Sequence, residues 1–355
     1  MKFFIEETVD DNNPIFIYIK KLGVEYQRIK TEEIVPLLFS KSKDETIILR
    51  SIKEKRYLKD CPGTKFYRCC DYKVLQIGDN CPFECIYCIL NSYFDNLVNI
   101  IYVDVDKMVD EIIDFLSKNR FLRLGTGEFT DSLALEPYTN LTKILLDKLK
   151  EKSIAWDRFN LELKTKSLNI ENFLDFEYKK SLLFSWSLNT FFVWKNLELK
   201  TPSPEERLKK AKLAVDNGFK VSFHFDPLIV YDEYKKDYKE IIELIFDYID
   251  PNKIAFISLG SFRYIPYLKH FISKKYGDTF LLENEFIYGK DSKLRYPYKL
   301  RVELYKYIIS LLDPFKKNIT IYYCMESERV WRNTLGYYPE SNFSLGKILW
   351  ESIKK

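Results

Sequence analysis

The chain has 355 residues, with 56 lysines and arginines against 52 aspartates and glutamates, a net charge of +4. That mild excess lies far below the charge of a dedicated nucleic-acid binder, so it permits a polyanionic substrate without demanding one. At 46% hydrophobic residues the chain can bury a large core, and no uncharged run reaches the ~18 residues that span a bilayer, so a cytoplasmic protein without a membrane partner is expected.

Residues 1 to about 70 read as an N-terminal extension of helical and strand pieces ending in the turn Cys61-Pro62-Gly63. A strand is expected at 73–78, followed by Asn80-Cys-Pro-Phe-Glu-Cys-Ile-Tyr-Cys-Ile89, which places Cys81, Cys85 and Cys88 in a C-x3-C-x2-C spacing. Three thiolates on one short loop suit three corners of a [4Fe-4S] cluster, because soft sulfur selects iron-sulfur and zinc centres. A closed structural zinc site or an electron-transfer cluster normally takes four protein ligands, so here one iron would stay open to a substrate or cofactor. The competing readings are buried thiols packing as small hydrophobes, and a disulfide, which a reducing compartment disfavours.

Short apolar runs then alternate with amphipathic helical stretches, a pattern of parallel βα units. Strands are expected at 120–124, 159–166, 181–189, 219–227 and 253–259, making six with the first. Period-two alternation puts Glu162, Lys164 and Lys166 on one face of the third strand. In the fifth it puts Phe219, Val221, Phe223 and Phe225 on one face and Lys220, Ser222, His224 and Asp226 on the other. Between them, Ser203-Pro-Glu-Glu206 reads as a capping box opening a helix that Gly218 ends. Apolar residues toward helices and polar residues toward the interior suit a barrel with a ligand-filled centre, whose active site gathers at the C-terminal strand ends. The expected fold is therefore α/β, a barrel over residues 71–300, with a helix at 298–313, a strand at 319–324 and a final helical region as a C-terminal extension, 301–355, closing the barrel.

The motif Cys81-x3-Cys85-x2-Cys88 resembles the signature of radical S-adenosylmethionine (SAM) enzymes. The wider pattern is similar to the spore photoproduct lyase family. The resembling stretches are Gly125-Thr-Gly-Glu-Phe-Thr-Asp-Ser-Leu133, Glu162-Leu-Lys-Thr-Lys166, Ser185-Trp-Ser-Leu-Asn-Thr190, Gly218 to Pro227, Ser258-Leu-Gly-Ser-Phe-Arg263, Arg295-Tyr296 and Tyr323-Cys-Met-Glu-Ser327, which together span about 70–335. The resemblance implies a partial (β/α)6 TIM-like barrel of radical SAM type. It also implies SAM chelated to the open iron and cleaved by one electron to a 5′-deoxyadenosyl radical.

For this chain the resemblance implies Cys81, Cys85 and Cys88 as metal ligands, and SAM contacts from Tyr87, Gly125, Thr126, Gly127, Glu128, Lys166, Ser187, Asn189, Thr190 and His224. Small residues at 125–127 let backbone approach the ligand, and Glu128 would accept from its ammonium. The lone Gly-x-Gly reads equally as a tight strand-to-helix turn, and Asn189 and Thr190 equally as caps of the following turn. Arg263, Arg295 and Arg301 are candidates to grip phosphates. The lyases carry a cysteine after the second strand, thought to return a hydrogen atom to the product radical, where this chain has Gly125. They carry tyrosines on both sides of the last cluster cysteine, where this chain has Tyr87 and Ile89. Cys324 and Tyr87 are accordingly the catalytic candidates. The expected function is lyase-like DNA lesion repair, with DNA as substrate and a flavodoxin or ferredoxin as electron donor. The alternatives are a radical SAM enzyme acting on RNA, peptide or small molecule, and a non-catalytic iron-sulfur or zinc nucleic-acid module.

Overall fold

The structure, a computed structural model, describes residues 1–40, 46–63, 66–94 and 98–355. Two compact units emerge, the first made of Met1–Cys61, Tyr72–Phe83 and Tyr93–Leu182, the second of Pro62–Asp71, Glu84–Ser92 and Leu183–Lys355.

Unit 1 contains β1 (Lys2–Glu6), β2 (Tyr26–Ile29), β3 (Thr46–Arg50), β4 (Leu58–Asp60), β5 (Lys73–Leu75), β6 (Gly78–Asp79), β8 (Asn99–Tyr102), β9 (Leu122–Gly125) and β10 (Phe159–Thr165). The N-terminal stretch builds a sheet ordered β2-β1-β3-β8-β6, parallel except for β6. Most of β1, β3 and β8 is apolar and buried, as expected of parallel strands covered on both faces. The strand expected at 73–78 is in fact two pieces. β5 pairs in parallel with β9, while β6 leaves it to join β8, because Gly78 packs so tightly that a Cβ there would lie 2.4 Å from the Ile100 carbonyl oxygen. β10 pairs in parallel with β9, setting Glu162 opposite Gly125. The helix Val105–Lys118 buries Val105, Met108, Val109, Ile112 and Leu116, a stripe at helical spacing.

Unit 2 contains β7 (Glu84–Cys85), β11 (Leu182–Ser187), β12 (Glu198–Leu199), β13 (Lys220–Leu228), β14 (Ile254–Ser261), β15 (Arg263–Tyr264), β16 (Ile287–Tyr288), β17 (Leu294–Arg295) and β18 (Thr320–Tyr323). β11, β13, β14 and β18 run parallel in that order. β18 thus extends the strand array beside β14. The helix before β13 starts with the full capping box of Ser203 and Glu206 and ends at Gly218, whose φ of +87° is costly for any residue with a Cβ. Phe219, Val221, Phe223 and Phe225 are all fully buried, as their alternation requires.

The polar row of β13 also follows the expected alternation. Ser222 bonds Ser185 of β11 at 2.5 Å, and His224 lies in register with Ser187 on one side and Ser258 on the other. A Cβ at Gly260 would stand 2.5 Å from Asp226 Oδ1, so the carboxylate occupies the room that this glycine leaves. Among the described residues no helix is long and apolar enough to cross a membrane.

Candidate active site

The cysteine loop begins in unit 1, at Cys81, and continues in unit 2, at Cys85 and Cys88. None of the three is in a disulfide, Cys85 is buried, and the backbone turns back on itself where Cys88 N donates to the Cys85 carbonyl at 3.1 Å. Among the described residues no three potential ligands stand gathered in metal-binding geometry. What fits a cluster is the donor set: soft, unoxidised thiols within eight residues of chain, the sulfur chemistry that iron-sulfur centres take.

The end of the loop is fixed by unit 2. β7 pairs antiparallel with β12, Cys85 facing Glu198, and Ile86 N donates to the Leu197 carbonyl at 2.8 Å. Glu84 accepts from Lys275 at 2.6 Å and from the Tyr276 hydroxyl at 3.0 Å, and pairs with Lys200 at 3.2 Å. Partial burial opposes ionisation of Glu84, but these three donors outweigh it and hold the carboxyl at about 2. Tyr87 points inward and its hydroxyl donates to Glu198. Burial, with the charges of Glu198 and Cys85, pushes its phenol well above the ordinary range.

In unit 1 the Gly125–Leu133 stretch is clamped to β10. Asp131 accepts from Thr165 Oγ1 at 2.6 Å and from Lys166 N at 2.7 Å, while its Oδ1 also caps Leu133 N and Ala134 N. Thr126 Oγ1 donates to Ser132 Oγ at 2.8 Å, and Ser132 N reaches the Lys164 carbonyl at 3.2 Å. Gly127 is required by this closeness, since a Cβ would lie 2.7 Å from the Lys164 carbonyl oxygen. The tight turn is therefore real, and it leaves Glu128 pointing at Tyr72, whose hydroxyl it accepts from, and at Lys164 Nζ, 3.6 Å away. The ring of Tyr72 takes the place of a side chain at Gly125, where a Cβ would lie 2.2 Å from Cε2. Glu162 pairs with Arg123 at 3.7 Å, both buried.

At the ends of β11, β13, β14 and β18 other candidates collect. Asn189 donates to the Pro227 carbonyl at 2.8 Å, and its Oδ1 accepts from Tyr238 at 2.8 Å. Thr190 caps the helix Phe191–Leu197 through Val193 N and bonds Tyr231 at 2.7 Å. Thr190 thus makes the local contact that capping predicts, whereas Asn189 bonds chiefly to residues far along the chain. His224 is buried edge-on to Phe256, the ring centres 5.8 Å apart, and the neighbouring Ser258 hydroxyl is buried with no hydrogen-bond partner. Ser187 is buried and its carbonyl accepts from Arg207 at 2.9 Å.

Asp226 and Arg263 form a two-pronged pair at 3.0 and 3.1 Å, and the other face of that guanidinium lies 3.5 Å from Cys324 Sγ. Burial works against the charge of Arg263, yet Asp226 and Cys324 together leave it more firmly protonated than in water. The three arginines expected to grip phosphates are buried or nearly so and already engaged: Arg263 as above, Arg295 by Asp291 and the Met325 carbonyl, Arg301 by Glu326 at 3.1 Å. Desolvation explains it, because a guanidinium at such depth persists only with a carboxylate beside it. Sequence reasoning missed Tyr72, Asp131, Glu198 and Arg207. Asp131 alone left a trace, in the resembling Gly125–Leu133 stretch.

Parallel βα units, a strand with a polar face and a loop of three cysteines at C-x3-C-x2-C spacing mark the class, a radical SAM enzyme on a partial (β/α)6 barrel. The family model described as spore photoproduct lyase matches residues 68–323. The chain belongs to the spore photoproduct lyase family. It is 24% identical over 258 residues to the spore photoproduct lyase of Clostridium acetobutylicum, covering 70% of this chain and 75% of that one. It is 23% identical over 269 residues to that of Bacillus subtilis, with the same two shares. Among solved structures, an alanine variant of spore photoproduct lyase with dinucleoside spore photoproduct superposes with a TM-score of 0.77 at 17% identity, over 91% of this chain and 98% of the other. A double variant with bound AdoMet and the same dinucleoside gives 0.76 at 16%, with the same coverage. The cofactors of this family are a [4Fe-4S] cluster and SAM.

Proposed function

We propose that this chain is a radical SAM lyase acting on a pyrimidine photoproduct in DNA, with Cys81, Cys85 and Cys88 as the cluster ligands. The observation that carries the reading is the set of three cysteines at C-x3-C-x2-C spacing, none in a disulfide, inside a chain matched over residues 68–323 by the lyase family. When bound, the cluster and SAM would supply one-electron radical chemistry, and the protein's part is to hold and orient them.

In that part, Glu128 binds the ammonium of SAM, and Gly125, Thr126 and Gly127 bring backbone close to its methionine end. Lys166, at the end of β10, pairs with the carboxylate. In unit 2 the proposed SAM contacts are Tyr87, Ser187, Asn189, Thr190 and His224. The unpartnered Ser258 hydroxyl, buried in register with His224, supports a ligand on that polar face. Cys324 is the hydrogen-atom donor candidate, its thiol fixed by Arg263 at a strand end where substrates of such barrels lie. A flavodoxin- or ferredoxin-class protein supplies the electron, and free cysteines suit a reducing cytoplasm.

The test is anaerobic reconstitution, reduction with dithionite in the presence of SAM, then incubation with a spore photoproduct dinucleotide. 5′-Deoxyadenosine and restored thymine are expected. An intact cluster that yields no 5′-deoxyadenosine removes the radical assignment, and 5′-deoxyadenosine without thymine removes the substrate. Cys324→Ala should alter the partition of products, and unchanged products and rates would remove it from the reaction.

A further inference from the structure

The loop that carries Cys85 and Cys88 rests on a buried ion pair for which no step of the reaction above has a use. Glu198 is 2% exposed and Arg207 is fully buried, and they meet at 2.6 Å. The other nitrogens of Arg207 are engaged by structure too: Nε on the Pro202 carbonyl at 3.0 Å and Nη1 on Ser187 O at 2.9 Å, while Nη2 is also 2.7 Å from Thr201 Oγ1 and from the Pro202 carbonyl. The second oxygen of Glu198 accepts from Tyr87, between the second and third thiols, and its backbone is paired with that of Cys85. The chain thus places a carboxylate and a guanidinium, neither touched by water, one strand pairing from a cluster ligand.

We infer that the Glu198–Arg207 pair is a positioning and charge-balancing element that sets the reduction potential of the cluster. The inference rests on the reading that Cys81, Cys85 and Cys88 hold it. Iron-sulfur potentials follow the net charge around the cluster, and charges at this depth are weakly screened. Glu84 adjoins Cys85 in the chain, but its lysine partners Lys275 and Lys200 are 42% and 49% exposed, so water mutes that set of charges. The buried pair is the one whose imbalance reaches the cluster. Reduction adds a negative charge, so a lone Arg207 favours the reduced cluster and a lone Glu198 opposes it.

The experiment is a spectroelectrochemical titration of the reconstituted full chain. Thermal melting of each apo variant serves as the control for folding. Glu198→Gln is expected to raise the midpoint potential, Arg207→Gln to lower it, and the double variant to return close to the parent. A purely structural role moves both single variants the same way or not at all, and that result, with the cluster intact, overturns the inference while leaving the cluster reading in place. If Arg207→Gln does not fold, Glu198→Gln must still lie above the double variant, and equality overturns the inference. A parent chain that takes up no iron-sulfur overturns both.

Discussion

The contact between Tyr72 and Gly125 sets how much room there is at the end of β9, and it yields a sharp test. A Cβ built at residue 125 stands 2.2 Å from Tyr72 Cε2, 2.8 Å from Cδ2 and 3.3 Å from Cζ. Two of these separations fall below any real carbon contact, so the ring must move, and its hydroxyl is tethered to Glu128. Gly125 has an ordinary backbone conformation, with no positive φ, so the whole cost of Gly125→Ala is overpacking, about 1–3 kcal/mol. Tyr72→Ala removes the obstacle at its own cost in lost packing. In the double variant the overpacking vanishes, so the two changes should be coupled by about 1–2 kcal/mol. Thermal or urea unfolding of the four proteins closes the cycle. Additive effects, or a Gly125→Ala protein as stable as the parent, would refute the claim that Tyr72 fills this space. The same geometry predicts that Gly125→Cys alone yields a displaced loop, whereas Gly125→Cys with Tyr72→Ala accommodates the thiol.

Three further expectations follow from the local chemistry. Glu136 caps the helix Leu141–Glu151 through Thr142 N and Lys143 N, but burial outweighs those bonds and pushes its carboxyl up to about 7 from 4.5. A raised carboxyl binds its proton better when folded. Its contribution, of the order of 3 kcal/mol, is therefore full below pH 4.5 and lost as pH rises through about 7; Glu136→Gln should flatten that limb of the stability curve, read by melting across pH. Glu84 has the opposite sign: its carboxyl is held down at about 2, so its contribution is present above 4.5 and lost as pH falls toward 2, and Glu84→Gln should weaken acid sensitivity in that window. Gly127→Ala forces the turn off the Lys164 carbonyl, which as backbone cannot swing aside, so SAM affinity measured by equilibrium binding should fall at least tenfold while the chain still folds; unaltered affinity would separate this turn from the cofactor.

Much of this molecule is written locally. The thiol spacing, the capping box of Ser203 and Glu206, and the alternation that buries Phe219 to Phe225 while turning Ser222, His224 and Asp226 to the other face all follow from residue type at fixed separations of one to four. Such information needs no long-range partner, and so five of the six expected strands appear within a few residues of where the pattern puts them, while the first breaks in two. Other features depend on residues far apart in sequence. That Gly125 faces Tyr72, that Asp131 clamps Lys166, and that the arginines at 263, 295 and 301 are consumed by Asp226, Asp291 and Glu326 are facts of packing. A charged side chain reads as available until burial requires a counter-charge, and only the folded chain says which carboxylate answers. The same holds for Tyr87: its place beside Cys88 is visible in the sequence, but its tie to Glu198, and through it to Arg207, joins segments more than a hundred residues apart that only tertiary structure brings together.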